Sequence, residues 1–319
     1  MGNKHVEKLT VFTPVYNRSG IIMHLFQSLC IQTIKDFEWI IVDDGSEDNI
    51  AQVVEKFKEH DTGFEIRYFE QAHGGKHRAI NYAIDKAKGE YFFIVDSDDR
   101  IVGDAIELIL SWIQKIESRS DIAGVAGLCI SQDGIVWGGT PRIQKNDFIE
   151  CTNFERKKYN LLGDKAEIYK TDILKQFPFP EFEGEYFITE NVCWDAIAAA
   201  GYCLRWYNIP IYICEYLDDG LTKNGANDIS GYIKNYRGYC FYIKQSMSIV
   251  PFKERMYRFY WYDKTRKKEK ISLLNAAEDI DFSKEKYCLN LFLMPIAYLM
   301  RKWDVLMEKW DVRNGSGKS

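Results

Sequence analysis

The sequence predicts an α/β protein in which a mostly parallel sheet is covered by helices on both faces, with a C-terminal helical appendage. Apolar strand-like segments alternate with amphipathic helical segments over the first half, and aspartate clusters follow two of those strands. Strands separated by crossover helices are typical of a parallel sheet. The alternation changes after about residue 121, and from about residue 230 the segments are helical and rich in aromatic residues.

The first half supplies four strands and four helices in strict alternation. The predicted strands cover 9–14, 37–42, 64–70 and 91–95, and the predicted helices cover 19–32, 49–60, 76–89 and 102–118. Right-handed crossovers place the C-terminal ends of all four strands at one edge of the sheet. Ligands of open α/β sheets bind beyond that edge. We therefore expect the aspartate clusters to face one crevice.

The second half of the α/β part is less regular. The segments "DIAGVAGLCI" and "GIVWGG" (134–139) indicate strands, 165–177 a strand leading into a short helix, and 190–201 a helix. A strand over 203–217 contains Pro210, which favours an edge or a bend. We predict one α/β domain over 1–228, made of two halves (8–120 and 121–228), and a helical region over 229–319.

Composition bounds the class of protein. The 319 residues are 46% hydrophobic and 15% aromatic, so most of the chain is globular. The formal net charge of −5 favours no nucleic-acid partner. Eight cysteines form no CxxC pair, and no segment predicts a signal peptide or a membrane span. We expect a cytoplasmic protein, with the inner face of the membrane as an alternative location.

The segment "VDSDD" (95–99) is a candidate metal site. Asp96 and Asp98 flank Ser97 where the buried strand "YFFIV" ends, so both carboxylates can approach one point if the chain turns there. Carboxylate oxygens with open positions suit Mg²⁺ or Mn²⁺ that also grips substrate phosphates. The alternative is an aspartate-rich turn that caps the following helix.

Two further segments follow predicted strands. In "VDDGS" (42–46), Asp43 and Asp44 can accept hydrogen bonds from a base or a ribose, or form a helix-capping turn. In "HGGKHRAIN" (73–81), Lys76 and Arg78 place positive charge at a helix start. This charge can bind a pyrophosphate, or the segment can be an ordinary solvated helix start. The latter segment is neither GxGxxG nor a Walker loop.

Taken in order after "FTPVYNR" (12–18), these segments resemble glycosyltransferase family 2, the inverting nucleotide-sugar transferases with the Rossmann-like GT-A fold. The likeness is strong over about 8–225 and continues through "GDKAEIY", "ITEN" and "YLDDGLTK" (216–223). The resemblance implies an enzyme that transfers a hexosyl or N-acetylhexosaminyl group from a UDP-sugar. The implied acceptor is a saccharide, a lipid-linked saccharide or a cell-surface polysaccharide. The resemblance makes 1–228 the catalytic domain, with 8–120 as its nucleotide-binding half and 121–228 as its acceptor-binding half.

The resemblance also implies roles for single residues. Members of the family use the second residue of an "ED" or "TED" motif as the base that deprotonates the acceptor hydroxyl. This sequence has "TEN", with Asn191 at that position, so Glu190 is the candidate base and Asp195 the fallback. The implied nucleotide-binding residues are Thr13, Pro14, Tyr16, Asp43, Asp44, Lys76, Arg78, Asp96 and Ser97, and the implied Mg²⁺ or Mn²⁺ ligands are Asp96 and Asp98.

The C-terminal third lies outside the resemblance. The segment 253–270 has eight basic and three acidic residues interleaved with aromatics, and the apolar run 288–310 is broken by Pro295. Such a pattern suits a helix lying on anionic lipid. A subdomain packing on the catalytic domain and a homodimer interface are the alternatives.

Three functions compete. The leading hypothesis is an inverting, metal-dependent glycosyltransferase. A nucleotidyltransferase would also join an α/β fold to Mg²⁺ and aspartates, but "TPVYNRSG" replaces the glycine-rich basic loop expected after its first strand. A domain that binds nucleotide-sugar without efficient catalysis is the third, because Asn191 replaces the usual base.

Overall fold

The computed structural model describes residues 8–144, 147–215 and 229–315. The chain divides into two compact units, Met1–Asp228 and Ile229–Ser319. The segments implied by resemblance at 216–223 lie outside the described residues.

The first unit is built around one sheet. Its strands are β1 (Leu9–Val15), β2 (Phe37–Asp43), β3 (Glu65–Glu70), β4 (Tyr91–Ile94), β5 (Arg100–Ile101), β6 (Ile122–Ile130), β7 (Phe148–Cys151), β8 (Lys165–Lys170) and β9 (Cys203–Ile213). Its helices are α1 (Ile22–Cys30), α2 (Ile50–Lys58), α3 (Lys76–Lys86), α4 (Ala105–Gln114), α5 (Thr171–Leu174) and α6 (Asn191–Ala199), with a 3₁₀ helix at Asn153–Tyr159.

The strand order is β3-β2-β1-β4-β8-β6-β9-β5, and β7 also pairs with β9. The run β3-β2-β1-β4 is parallel. Beyond β4 the sheet is mixed, because β8 is antiparallel to both β4 and β6 whereas β6 and β9 are parallel. The α/β class is confirmed, and the parallel arrangement belongs to the first half of the sheet.

Burial explains why the parallel strands lack an alternating pattern. All seven residues of β2 are buried, as expected for a strand covered by helices on both faces. On one face the rings of Phe26 in α1 and Phe57 in α2 stack at 4.1 Å, next to Trp39 of β2. The Trp39 Nε1 donates to Thr13 Oγ1 at 2.9 Å, which satisfies both polar groups inside the core.

Two of the strands predicted for the second half of the sheet lie at 134–139 and 203–217. The predicted strand at 134–139 is wrong, since the segment contributes only an isolated bridge between Ile130 and Val136. Positive φ angles at Gly134 and Gly138 turn the chain instead. Strand β9 continues through Pro210, and the register against β6 shifts beside it, so the bend is accommodated as a bulge in a strand with neighbours on both sides.

The second unit is helical, with α7 (Ile229–Lys234), α8 (Tyr236–Ile249), α9 (Phe252–Lys268), α10 (Leu273–Glu278) and α11 (Lys284–Gly315). Its core is aromatic: Tyr262 is fully buried and donates a hydrogen bond to the Ala276 carbonyl at 2.8 Å. Pro295 lies inside α11 without ending it. Within the described part of the chain, no helix has the length and apolar character needed to cross a membrane.

Candidate active site

A cavity of about 940 Å³ opens at the C-terminal ends of the parallel strands. Its walls come from the segments that follow β1, β2, β3 and β4 and from three segments of the second half of the sheet. The lining includes Pro14, Tyr16, Asp44, Lys76, Asp96, Ser97, Asp98, Glu167, Tyr186, Glu190 and Asn191. The expected crevice therefore exists, and it gathers residues from distant parts of the sequence.

The turn after β4 presents its aspartates in different ways. Asp99 is held: Tyr212 donates to its Oδ2 at 2.6 Å and the Glu215 amide to its Oδ1 at 2.7 Å. The same Tyr212 hydroxyl accepts the Asp96 amide at 3.0 Å, so Asp99 and Tyr212 together fix the turn. Burial and the neighbouring Asp96 raise the pKa of Asp98, and they raise the pKa of Asp99 to about 7.

Lys76, at the start of α3, joins two carboxylates. Its Nζ lies 2.8 Å from Asp96 Oδ1 and 2.9 Å from Glu190 Oε1. Burial lowers the pKa of Lys76, but the two carboxylates outweigh it and raise the pKa above its ordinary value. The candidate base and the first aspartate of the metal motif thus lie within reach of one ammonium group.

The Glu190 side chain is directed into the cavity. Helix α6 begins at Asn191, and Glu190 makes no capping hydrogen bond with it. Its side chain is 38% exposed and paired with Lys76. This arrangement differs from ordinary helix capping, the alternative explanation for a glutamate at this position.

The aspartates after β4 offer the carboxylate oxygens that Mg²⁺ and Mn²⁺ prefer as ligands. The raised pKa values of Asp98 and Asp99 follow from burial and from the closeness of like charges, which a cation would relieve. No cluster of three or more His, Cys, Asp or Glu with metal-site geometry occurs among residues 8–144, 147–215 and 229–315. A site with two protein carboxylates is nevertheless ordinary for Mg²⁺, which keeps waters and binds substrate phosphates.

Asp44 organises the glycine loop before α3. Its carboxylate accepts the backbone amides of Gly74 at 2.9 Å and Gly75 at 2.7 Å, and the Gln71 side chain at 2.7 Å. Gly75 has φ +94°, and a Cβ there would lie 1.9 Å from the Tyr186 carbonyl oxygen. A glycine is therefore required where this loop meets the segment that leads to Glu190.

Two of the residues that were predicted to bind the nucleotide do not line the cavity. Asp43 accepts the Ser46 amide at 2.8 Å and the Tyr68 hydroxyl at 2.7 Å, and it is not part of the cavity lining. Thr13 is fully buried against Trp39. Pro14 and Tyr16 do line the cavity, and Tyr16 is 44% exposed.

Arg78 and Asp195 also lie outside the cavity lining. Arg78 donates to the Phe182 carbonyl at 2.7 Å, which ties α3 to the segment preceding Glu190. Asp195 is fully buried and accepts a hydrogen bond from Asn153 at 2.8 Å. In both cases a hydrogen-bond partner in a distant segment determines where the side chain lies.

Sequence reasoning missed a ring stack at the cavity. The His73 ring stacks between the rings of Tyr16 and Tyr186. The distances between ring centroids are 4.3 Å to Tyr16 and 4.7 Å to Tyr186, with interplanar angles of 19° and 12°. His73 Nδ1 also lies 2.9 Å from Asp44 Oδ2. The signal was the placement of His73 directly before the two glycines, but its partner Tyr186 is more than a hundred residues away.

A largely buried ion pair on the cavity wall was missed as well. Glu167 in β8 lies on the cavity wall, 3.2 Å from an Arg156 nitrogen, and only 12% of its side chain is exposed. Burial raises the pKa of Glu167 to about 7, although Arg156 opposes the shift. A glutamate within a predicted strand was the only sequence signal for it.

Comparison with known proteins supports the resemblance. A family model described as glycosyl transferase family 2 matches residues 10–177. Glycosyltransferase GlyA of Streptococcus pneumoniae is 36% identical over 117 residues, or 37% of this chain and 16% of GlyA. The Staphylococcus aureus poly(ribitol-phosphate) beta-N-acetylglucosaminyltransferase TarS is 29% identical over 178 residues, or 54% of this chain and 30% of TarS. The alignments span less than a third of these two relatives.

Solved structures share the fold. TarS 1–349 in complex with UDP-GlcNAc gives a TM-score of 0.56 at 18% identity, covering 97% of this chain and 92% of that one. The mannosyltransferase PcManGT of Pyrobaculum calidifontis, in complex with GDP-Man and Mn²⁺, gives 0.50 at 15% identity, covering 94% and 80%. At such identities these likenesses concern the fold alone. Since the family model covers more than half of the residues, the chain belongs to glycosyl transferase family 2.

Proposed function

We propose that this protein transfers a hexosyl or N-acetylhexosaminyl group from a UDP-sugar to a hydroxyl of a saccharide or lipid-linked acceptor, with inversion at the anomeric carbon. The observation that carries the proposal is the convergence of Lys76, Asp96 and Glu190 in one cavity. UDP is chosen because the similarly folded TarS has been solved with UDP and with UDP-GlcNAc.

Glu190 is the proposed general base. Its carboxylate faces the cavity, and the acceptor oxygen attacks the anomeric carbon while its proton moves to Glu190. The bond between the anomeric carbon and the diphosphate oxygen breaks, and UDP leaves. Attack opposite to the leaving group inverts the centre, so an α-linked donor gives a β-glycoside.

The leaving diphosphate needs positive charge. Asp96 and Asp98 would hold Mg²⁺ or Mn²⁺, which supplies Lewis-acid stabilisation to the diphosphate when bound. Lys76 would then exchange its contact with Asp96 for the diphosphate, because its flexible chain can reorient within the same cavity. Releasing Glu190 from Lys76 would also free that carboxylate to accept a proton.

The nucleotide subsite would lie at Pro14, Tyr16 and Ser97, all of which line the cavity. The exposed part of the Tyr16 ring offers a stacking surface for uracil, since its other side is covered by His73. Asp44 already accepts several hydrogen bonds from the glycine loop, so we assign it the support of this subsite rather than a direct contact.

One observation favours a second function. Asn191 stands where the family places its base, and Lys76 forms an ion pair with Glu190. Both features would suit a protein that binds nucleotide-sugar without efficient turnover. The nucleotidyltransferase alternative is disfavoured by membership in glycosyl transferase family 2.

The variant Glu190→Gln discriminates between these functions. UDP binding is measured by calorimetry with Mn²⁺ and with EDTA, and turnover as UDP release from UDP-glucose, UDP-galactose and UDP-GlcNAc. We expect turnover to fall about 10²–10⁴-fold with UDP affinity preserved, because only proton transfer is lost. The matched control is Glu181→Gln, an exposed glutamate of the preceding segment that does not line the cavity.

Two other outcomes are informative. Turnover of Glu190→Gln equal to that of wild type removes Glu190 as the base. Wild-type protein that binds UDP tightly but releases none from any of the three donors, with or without saccharide acceptors, supports the binding function instead.

A further inference from the structure

Helix α11 carries an unpartnered apolar face. Its residues recur at intervals of three and four and are exposed by 45–73%: Leu289, Phe292, Ile296, Leu299 and Trp303. We call these five residues the apolar stripe. At 100° per residue they fall within an arc of about 80° along two heptads.

Another side of α11 packs against the core of the second unit. Tyr287, Asn290 and Ala297 are buried, and they lie away from the apolar stripe. Tyr287 contacts the core of the second unit, with its ring 4.8 Å from that of Phe259 in α9. The apolar stripe is therefore separate from the side of α11 that packs against the core of the second unit. Five large exposed side chains on one face indicate a binding surface.

Charge identifies the occupant. Residues 229–319 carry 18 basic residues (Lys and Arg) and 10 acidic residues (Asp and Glu), a formal charge of +8. Residues 1–228 carry 24 basic and 37 acidic residues, a formal charge of −13. A net positive charge is thus found only in the part of the sequence that also carries the apolar stripe. A helix with both features is attracted to a surface that combines anionic headgroups with acyl chains.

Lysines accompany aromatic rings in this unit. Lys286 lies 3.8 Å from the Phe282 ring centroid, and Lys302 lies 4.9 Å from that of Tyr298. Both lysines belong to α11, near the two ends of the apolar stripe. Long lysine side chains can keep their ammonium groups at lipid phosphates while the apolar stripe enters the interface.

A second copy of the chain is the weaker candidate. The three-four spacing would suit a coiled coil, but two units of charge +8 repel each other. Five side chains exposed by 45–73% also offer only roughly 600 Å² per copy. A standard stable interface buries roughly 800 Å² per partner.

We propose that the second unit binds the surface of an anionic membrane, with the apolar stripe entering the interface and Lys286 and Lys302 at the headgroups. The helix lies on the bilayer, since no described helix can span it. Such binding would bring the chain to lipid-linked acceptors, but it does not depend on the proposed transferase activity.

Vesicle flotation of the full chain tests the proposal, with phosphatidylcholine vesicles and with vesicles that also contain phosphatidylglycerol. We expect binding only to the anionic vesicles, weakening with added salt. The variant Phe292→Ser/Leu299→Ser/Trp303→Ser should lose at least about thirtyfold in affinity, because each side chain leaves an apolar phase. Lys286→Glu/Lys302→Glu should lose at least about tenfold.

The control is Ile135→Ser, which removes a 68% exposed isoleucine of the first unit and should bind vesicles like wild type. Thermal unfolding and UDP binding of each variant verify that the fold is intact. Absence of vesicle binding, or binding that the triple serine variant retains, overturns the proposal. A concentration-dependent dimer in sedimentation velocity that this variant abolishes, without vesicle binding, assigns the stripe to a second copy.

Discussion

Replacing Lys76 by methionine should strengthen Mn²⁺ binding in the absence of nucleotide and weaken UDP binding in the presence of Mn²⁺. The Lys76 ammonium lies 2.8 Å from Asp96 and 2.9 Å from Glu190, so it occupies a carboxylate that the metal would use. A cation that binds Asp96 has to displace this ammonium group, and the methionine side chain removes the competition without leaving a void.

The magnitude follows from distance and exposure. Two unit charges about 2.9 Å apart interact by roughly 6 kcal/mol at an effective dielectric constant of about 20. Because the three side chains are 30–41% exposed, solvent screening reduces the net value to about 1 kcal/mol per pair. Mn²⁺ should therefore bind roughly fivefold more tightly. UDP should bind about tenfold or more weakly, since a charge-assisted hydrogen bond contributes about 1.5–3 kcal/mol.

Calorimetric titration with MnCl₂ alone, and with UDP at saturating Mn²⁺, measures both effects. The matched control is Lys86→Met on the same helix, whose ammonium pairs with the exposed Asp85. Mn²⁺ affinity that stays equal or decreases in Lys76→Met, while Lys86→Met behaves as wild type, would refute the competition.

Three further predictions concern the metal, the glycine loop and the buried glutamate. Asp98→Ala should abolish the Mn²⁺-dependent part of UDP binding, measured by calorimetry with and without EDTA. Gly75→Ala should lower the free energy of unfolding by about 2 kcal/mol or more in urea titrations, because its Cβ would clash with the Tyr186 carbonyl at a φ of +94°. Glu167→Gln should become more stable relative to wild type between pH 5 and pH 8, by up to about 3 kcal/mol.

The sign of the last effect follows from the pKa of Glu167, raised to about 7 in the folded protein from 4.5. Between those values the folded state binds more protons, so the wild type loses stability as the pH rises, whereas glutamine does not titrate. A stability difference that does not change with pH would contradict this.

For the prediction on Gly75, Gly134→Ala is the control, since the φ of Gly134 is +78° but no atom lies within 4 Å of the added Cβ.

Local patterns in the sequence determined the first four parallel strands, their helices and the edge at which the cavity opens. Those features depend on which residues are apolar along a short segment and on the handedness of crossovers, both of which are local. The same is true of the aspartates after β4 and the glycine loop before α3, which were identified as blocks of neighbouring residues. The resemblance to glycosyl transferase family 2 followed from those blocks, and the family model that matches residues 10–177 confirms it.

Tertiary structure decided which of these side chains enter the cavity. Lys76 and Arg78 are two residues apart, yet Lys76 bridges Asp96 and Glu190 whereas Arg78 is drawn to the Phe182 carbonyl. Glu167 reaches the cavity because β8 inserts antiparallel between β4 and β6, a pairing that strand patterns do not encode. The direction of a side chain depends on the partners that long-range packing brings to it, and those partners are distant in the sequence.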